Sequence, residues 1–478
     1  MSTPISTSPQ GKKDFITRLS EWSLRYVPDS MVFVLSLTIL VYFMAWGLTD
    51  SGPLKIVDHW LQGFWVLLTF AMQMCVLMIT GYVVADSKQV KAILKRIAQV
   101  PKTPVQAVMM FTAIVGVLWW IHWGIGMMAG IMLGRQIAVF QKGKGLHYTA
   151  LVACAYTATL SANGPSMAAP LIMATPGHFM EKVVDVIPLS YTVFDVRLLI
   201  MNLIVICTVP ILMAIVLPKK NVVEIDDQLA ASFVDVDETK EDKSKLTPAQ
   251  RWDRSPWLIT IIGIAGLYWV FKFFYTKGVM NLDLNTLNFT FLIIGILLHR
   301  TPMLFMESVK RATGTVFGVI IQFPFYAGIF GMINYSGLAQ VIAGWFVSIS
   351  TAGTYPWIVF VYSAILNFFV PSGGSKFVVE APYILPAAQQ LGANVHMVIN
   401  AYTNGDLITN LLQPFWALPI LGAFKVTFRD ILPYSLIAFI WGFIVISCGY
   451  LIFILDKERE GNQIPSCSTS IYPTKFNM

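Results

Sequence analysis

Charge is scarce in this chain: Asp, Glu, Lys and Arg make up 12% of its 478 residues, against about 25% in an ordinary soluble domain. That scarcity excludes a disordered chain and almost any water-soluble enzyme, both of which need many solvated groups. Cysteine is nearly absent as well. Cys75, Cys154, Cys207, Cys448 and Cys467 contain no Cys-x-x-Cys spacing, which gives no support to a disulfide framework or a structural zinc site. Four of them sit in apolar runs, where a small apolar residue in a helix is the plain reading. Catalytic patterns are missing too. There is no Walker motif, no Gly-x-Ser-Gly, no Gly-x-Gly-Asp and no His/Asp/Glu spacing of a metalloprotease, so no enzyme, cofactor or metal is expected.

What is abundant is apolar surface. Hydrophobic residues reach 56% and the mean hydropathy is +0.66, the composition of an all-α polytopic membrane protein. The net charge of +7 does not point to nucleic acid, because Lys and Arg gather in loops between apolar runs, as in cytoplasmic loops. Clear runs are Met31–Thr49, Trp60–Val84, Val105–Leu133, Leu198–Leu217, Trp257–Tyr275, Leu284–Leu298, Gly314–Ile333, Val398–Leu421 and Leu432–Leu455. Most hold about twenty residues, enough for a core of about 30 Å, so about 9 to 11 transmembrane helices are expected. Val105–Leu133 is longer, with Trp119-Trp120-Ile121-His122-Trp123-Gly124 near its middle, and reads either as one tilted, broken helix or as two short ones.

Polar stretches divide the chain. Residues 1–30 form an amphipathic cytoplasmic N-terminus, too long before the first run for a cleaved signal peptide, so that run is expected to stay as an anchor. A first repeat covers 31–217. The stretch 218–256 holds seven basic and nine acidic residues and reads as a flexible cytoplasmic linker. A second repeat covers 257–455, and 456–478 is a polar tail.

Two apolar stretches are too short to cross. At 149–175, Ser161-Ala162-Asn163-Gly164-Pro165-Ser166 interrupts the run, and at 355–391 Pro371-Ser372-Gly373-Gly374-Ser375 does so. Gly and Pro break helices, so each stretch reads as a re-entrant hairpin with a polar tip. The two interruptions match in order, Ala169-Pro170 with Ala381-Pro382, Tyr191-Thr192 with Tyr402-Thr403 and Pro210 with Pro419, at offsets of about 210 residues, as paired broken segments of a duplicated carrier would. Inverted topology is favoured, although it needs an odd number of crossings per half. The second half counts five and the first four, unless the long run or a hairpin arm adds one.

Non-helical backbone at membrane depth belongs beside a wet cavity or a binding site. Helix N-termini there attract anions, and freed carbonyls with Ser or Asn oxygens attract cations. Substrate-binding candidates are therefore Ser161, Asn163, Gly164 and Ser166 in the first half, and Ser372, Gly373, Gly374, Ser375 and Lys376 in the second. Lys376 either meets a substrate carboxylate or pairs with Glu380 on the next turn. Asp406, with Asn404, Asn400 and Asn410, is a candidate for cation coordination or proton exchange, or else an interfacial cap of the kind Asp195 makes beside Arg197. His122 among its tryptophans is a candidate proton relay or a packing residue.

Tyr156–His178 (YTATLSANGPSMAAPLIMATPGH), Asn367–Pro382 (NFFVPSGGSKFVVEAP) and Asn400–Gln413 (NAYTNGDLITNLLQ) resemble the bacterial short-chain fatty acid transporter family, over about Phe15 to Leu455 without the linker. The resemblance implies a multi-pass secondary carrier of the cytoplasmic (inner) membrane. It would take up acetoacetate- or butyrate-type monocarboxylates by symport with H+ or Na+, with lipid and a second copy, as a homodimer, for partners. The wider ion-transporter superfamily has inverted repeats, hairpins carrying Ser-Asn-Thr and an elevator-like motion. Neither tip here reads Ser-Asn-Thr, so its sodium sites and dicarboxylate preference do not carry over. The alternatives are a carrier for another organic anion, such as a dicarboxylate, and an anion channel.

Overall fold

Short polar caps set where helices begin. Thr103 accepts from the Gln106 N–H and Thr301 from the Leu304 N–H, each at 3.3 Å, with Pro104 and Pro302 opening the helices. The hydroxyl satisfies a free N–H, and the proline has none to satisfy. The computed structural model describes residues 30–233, 246–368 and 370–461, and among them every regular element is helical. The N-terminus before Ser30, the centre of the linker, the tail beyond 461 and Cys467 lie outside the described residues.

Among the described residues, eight helices are long and apolar enough to cross a bilayer, or nine if the pair Val395–Asn410 and Phe415–Phe424, bent by 71°, makes one span. Their outer surfaces are apolar: Val32, Ile39, Trp257, Ile261 and Phe271 are all exposed, a pattern that lipid accommodates and water does not.

In the first half, α1 (Ser30–Leu48) is followed by α2 (Pro53–Phe64) and α3 (Leu68–Asp86). These two helices replace the single run expected at Trp60–Val84. The break follows Gly63, where a Cβ would lie 2.6 Å from the Gly331 Cα. The basic amphipathic α4 (Lys88–Ala98) leads to α5 (Pro104–Ile121) and α6 (Trp123–Phe140). These two settle the long run as two helices that fold back on each other. A Cβ on Gly126 would meet Trp119, one on Gly130 would meet Val115 and one on Gly134 would meet Phe111. Gln141 Nε2 donates to the Pro101 carbonyl at 2.6 Å, closing the open end. So α5 and α6 enter and leave on one face, with His122 at the tip.

That face also carries the linker. At the start of α7 (Tyr148–Thr157), the Tyr148 N–H donates to the Val223 carbonyl at 2.8 Å. A 3-10 turn (Ala158–Ala162), the break and α8 (Ala168–Met173) follow. Beyond α8, Thr175 Oγ1 accepts from the Leu284 N–H at 3.0 Å, on the far face. The expected hairpin at 149–175 is therefore corrected: its ends lie on opposite faces, and it is a crossing broken at Asn163–Met167. α9 (Val196–Ile215), capped by Asp195 accepting from the Arg197 N–H at 3.0 Å, returns to the linker face. The described linker residues dock there rather than hang free, since Ile225, Ala230 and Phe233 are buried and the Arg135 guanidinium lies 4.9 Å from the Phe233 ring.

The second half starts with α10 (Pro256–Lys277), which crosses to the far face and packs antiparallel on α11 (Leu284–His299), with Gly263 against Leu297 and Gly266 against Ile293. α12 (Pro302–Thr313) and α13 (Phe317–Tyr335) run back to the far face, where α14 (Leu338–Ile349) lies. At the linker end, Asp86 holds α3, α4 and α12 together through Lys91 (2.7 Å), Ser308 (2.7 Å) and Arg311 (2.5 Å). The hairpin at 355–391 is present as α15 (Tyr355–Leu366) and α16 (Ser375–Leu391). Its arms are tied by Tyr355 Oη to the Ile384 carbonyl (2.9 Å) and by the Tyr362–Tyr383 hydroxyls (2.8 Å), and Gln389 anchors it to Val183 on the far face. α17 (Val395–Asn410) enters from the far face, and the expected single run Val398–Leu421 breaks before α18 (Leu418–Phe424). α19 (Phe428–Gly461) lies antiparallel to α9, with Trp441 Nε1 donating to Thr208 (2.9 Å), and runs past the expected tail boundary at 456.

Candidate functional site

Four interruptions of helix meet at one place: the tips of α5/α6 and α15/α16, and the breaks of α7/α8 and α17/α18. They surround a cavity of about 90 Å³, room for a few water-sized groups. Trp119 and Trp123 come from the first tip, Thr159, Ala162, Met167 and Ala168 from the first break, and Ser372, Gly373 and Gly374 from the second tip. Asp406, Leu407, Asn410 and Trp416 come from the second break, with Met74 and Met78 of α3 and Val319 and Phe323 of α13 completing the wall. The wall is mostly apolar and aromatic, and Trp123 and Trp416 meet edge to face at 5.8 Å.

The second tip is stiffened from within. The Ser372 and Ser375 hydroxyls lie 2.6 Å apart, the Lys376 N–H donates to the Ser372 carbonyl at 2.9 Å, and Tyr402 Oη donates to the Gly373 carbonyl at 2.9 Å. Gly373 is needed here because a Cβ would lie 2.8 Å from Asp406 Oδ2.

Behind the tip sits an ionic cluster. Lys376 and Glu380 are 0% exposed and Asp406 is 2% exposed. Lys376 Nζ is 3.3 Å from Glu380 Oε1, 3.1 Å from the Ser363 carbonyl, 3.8 Å from Asp406 Oδ1 and 4.2 Å from the centre of the Tyr402 ring. Glu380 also accepts from the Ser363 hydroxyl. Of the two readings offered for Lys376, the structure displays the pairing with Glu380, and its ammonium stands behind the wall rather than in it.

The candidates divide accordingly. Ser372, Gly373, Gly374, Asp406 and Asn410 line the cavity. Asn410 Oδ1 is occupied by Asn367 (2.8 Å) and Gln413 (2.9 Å). Ser161, Asn163, Gly164 and Ser166 support the wall instead. Asn163 Nδ2 donates to Asn404 Oδ1 (2.9 Å), Asn404 donates to Tyr450 Oη (2.9 Å), and the Asn163 carbonyl accepts from Asn202 (2.8 Å). Ser166 Oγ accepts from the Trp123 N–H at 2.9 Å, pinning the first tip to the first break. Gly164 lies hard against the Trp120 carbonyl and Ser161 near Gly116. Asn400 donates to the His396 carbonyl (2.9 Å), away from the wall. His122 caps α6, its Nδ1 accepting from the Gly124 N–H at 3.2 Å, with its ring 4.4 Å from that of Phe291.

Trp119, whose sequence context reads as packing or an interfacial anchor, and Thr159, which no motif marks, also line the cavity. Trp119 Nε1 and Thr159 Oγ1 are buried with no hydrogen-bond partner among the described residues, as is expected of donors waiting for a ligand. Their only signal in the sequence is nearness to the Trp-Trp-Ile-His-Trp run and to the Asn-Gly-Pro break. Among the described residues no group of three or more His, Cys, Asp or Glu could hold a metal ion.

A multi-pass helical bundle with paired breaks around a small apolar cavity defines a membrane transporter fold. A solved structure with this fold, the Alcanivorax borkumensis YdaH transporter, described as having an unusual topology, superposes with a TM-score of 0.55 at 14% identity over 91% of this chain and 99% of its own. The sequence profile of the family described as "Short chain fatty acid transporter" matches residues 13–454, and the chain belongs to that family. Two relatives named "Putative short-chain fatty acid transporter" are similar throughout. The Escherichia coli (strain K12) protein is 36% identical over 92% of this chain and 100% of its own length. The Haemophilus influenzae protein is 37% identical over 87% and 94%.

Proposed function

We propose that the protein is a secondary carrier taking up short-chain monocarboxylates of the acetoacetate or butyrate type across the bacterial cytoplasmic membrane, driven by a cation gradient. The observation that carries this reading is the cavity itself. Its wall offers few polar atoms and much apolar and aromatic surface, which suits one carboxylate with a two- to four-carbon tail. The carboxylate is held by neutral donors: Thr159 Oγ1, Trp119 Nε1 and the Ser372–Gly374 tip. Lys376 acts on it through Asp406 rather than by contact. Asp406, backed by the Asn163–Asn404 and Asn367–Asn410 bonds, is the coupling site. A dicarboxylate would need a second anion partner, and the wall includes no Lys, Arg or His.

We also infer that the two halves are inverted repeats. α1 pairs with α11, α2–α3 with α12–α13, α4 with α14, hairpin α5/α6 with hairpin α15/α16, broken α7/α8 with broken α17/α18, and α9 with α19. Each pair runs in opposite directions between the faces. Each half then crosses an even number of times, and α10 supplies the crossing that turns the second half over. The linker face is cytoplasmic in this reading, since Lys88, Lys91, Lys95, Arg96, Lys142, Lys219, Lys220 and Lys425 belong to it.

The test is counterflow in proteoliposomes. Labelled acetoacetate should accumulate faster when unlabelled acetoacetate is inside, and butyrate should compete better than succinate. Uptake without counterflow would identify a channel, and better competition by succinate would identify a dicarboxylate carrier.

A further inference from the structure

We propose that each acid crosses together with one proton held at Asp406, so that transport moves no net charge and needs no sodium. This rests on the carrier reading above and names its coupling ion.

Charge around the cavity can be counted. Among the described residues, Asp406 is the one ionisable side chain in the cavity wall. Behind it, on α16, stand Lys376 and Glu380, both fully buried. One ammonium and two carboxylates sum to one negative charge when all are ionised. The neighbours on the other packed elements do not change that sum. Ser363 and Asn367 of α15 and Tyr402 of α17 face the cluster with hydroxyl, amide and phenol groups. Tyr355, Tyr362 and Tyr383, the last two bonded to each other, stand near Glu380 and are phenols that ordinary pH leaves neutral.

Lys376 cannot serve both acids equally. Its ammonium is closer to Glu380 (3.3 Å) than to Asp406 (3.8 Å) and spends another donor on the Ser363 carbonyl. Asp406 Oδ1 is left buried without a hydrogen bond. An anionic substrate arriving in the same cavity would bring a second uncompensated negative charge, and two such charges in a poorly solvated space do not both remain ionised. A proton shared between the Asp406 carboxylate and the substrate carboxylate removes the conflict with one bond.

A metal cation would remove it too, but it needs a shell of oxygens. The side-chain oxygens of the wall are those of Thr159, Ser372, Asp406 and Asn410, and the tip carbonyls of Ser372 and Gly373 already accept from the Lys376 N–H and the Tyr402 hydroxyl. Ser372 is engaged with Ser375, and Asn410 Oδ1 with two amides. A proton needs only Asp406. The cycle balances: one carboxylate and one proton bind from outside, both are released inside, and the resident cluster ends as it began.

Calorimetry on the purified protein in detergent tests this, using acetoacetate as probe in sodium-free buffers of different ionisation enthalpy. At about pH 8 wild type should take up one proton per acid bound. Its affinity should fall about tenfold per pH unit above that. Asp406→Asn should bind without proton uptake and lose the slope. Should that variant fail to fold, Glu380→Gln frees Lys376 for Asp406 and should lower proton uptake well below one. Binding that takes up no proton, or that appears only when sodium is added, overturns the inference and leaves the carrier reading standing. Unchanged proton uptake in either variant removes the site from Asp406. If no short-chain acid binds under any of these conditions, the carrier reading falls and this inference with it.

Discussion

Gly373 and Asp406 show how little freedom the site has at the scale of single residues. A methyl group at Gly373 would press on Asp406 Oδ2, so Gly373→Ala should abolish most uptake while surface abundance stays normal; wild-type uptake would mean that the tip stands further from Asp406. Thr159 and Trp119 make a complementary case. Thr159→Val keeps volume and Trp119→Phe keeps an aromatic ring, and each removes a donor, so each should raise the apparent KM for acetoacetate roughly tenfold or more, the worth of one hydrogen bond to a charged group. Unchanged KM in both would leave the carboxylate to the Ser372–Gly374 tip alone. Ser372–Gly374, Asp406 and Asn410 were legible because helix breakers and charges inside apolar runs are costly and therefore informative. Trp119 and Thr159 were not, since an aromatic or a threonine in an apolar run has the same pattern whether it packs or binds. Lys376 illustrates the opposite limit: its burial was readable, but its preference for Glu380 over a ligand depends on how Ser363 and Tyr402 of neighbouring helices surround it.

At the scale of elements, the first hairpin was misplaced for a physical reason. Asn-Gly-Pro at 163–165 is a stronger local break than anything near His122, and local break strength does not say whether the chain turns back or goes on. That depends on whether the arms can pack. Gly126, Gly130 and Gly134 recur every four residues and give α6 a smooth face for close approach to α5, the small-residue packing that membranes favour. This was the readable signal, and it marks the long run as two helices. A cysteine pair, Val115→Cys with Gly130→Cys in a background free of other cysteines, should oxidise readily to a disulfide. On one continuous helix the same positions would be about 22 Å apart, so a well-expressed pair that never cross-links would disprove the fold-back. The second hairpin was legible at its true bounds because Pro371 and Gly373-Gly374 break the chain where the arms do turn back.

The whole molecule is governed by which face each break opens toward. In the proposed inverted arrangement, two hairpins entering from opposite faces would let the cavity be closed from either side by a hairpin tip while the other side opens. This arrangement suits alternating access and no continuous pore. The helical class and the approximate number of crossings followed from apolar run lengths. In the proposed pairing of the halves, the residue matches at about 210 join a broken crossing to a hairpin, and only the direction of each helix distinguishes the two. The inversion makes a definite claim about sidedness. In cells, Lys220→Cys near the docked linker should react with a membrane-impermeant thiol reagent only after the membrane is opened, while Lys182→Cys, in the short helix Glu181–Val184 beside Gln389, should react from outside. The native exposed cysteines Cys207 and Cys448 face the apolar belt on spans and should stay silent in both. Labelling of both engineered positions from the same side would place Thr175 and Val223 on one face, restore 149–175 as a re-entrant hairpin and remove the crossing on which the inversion depends.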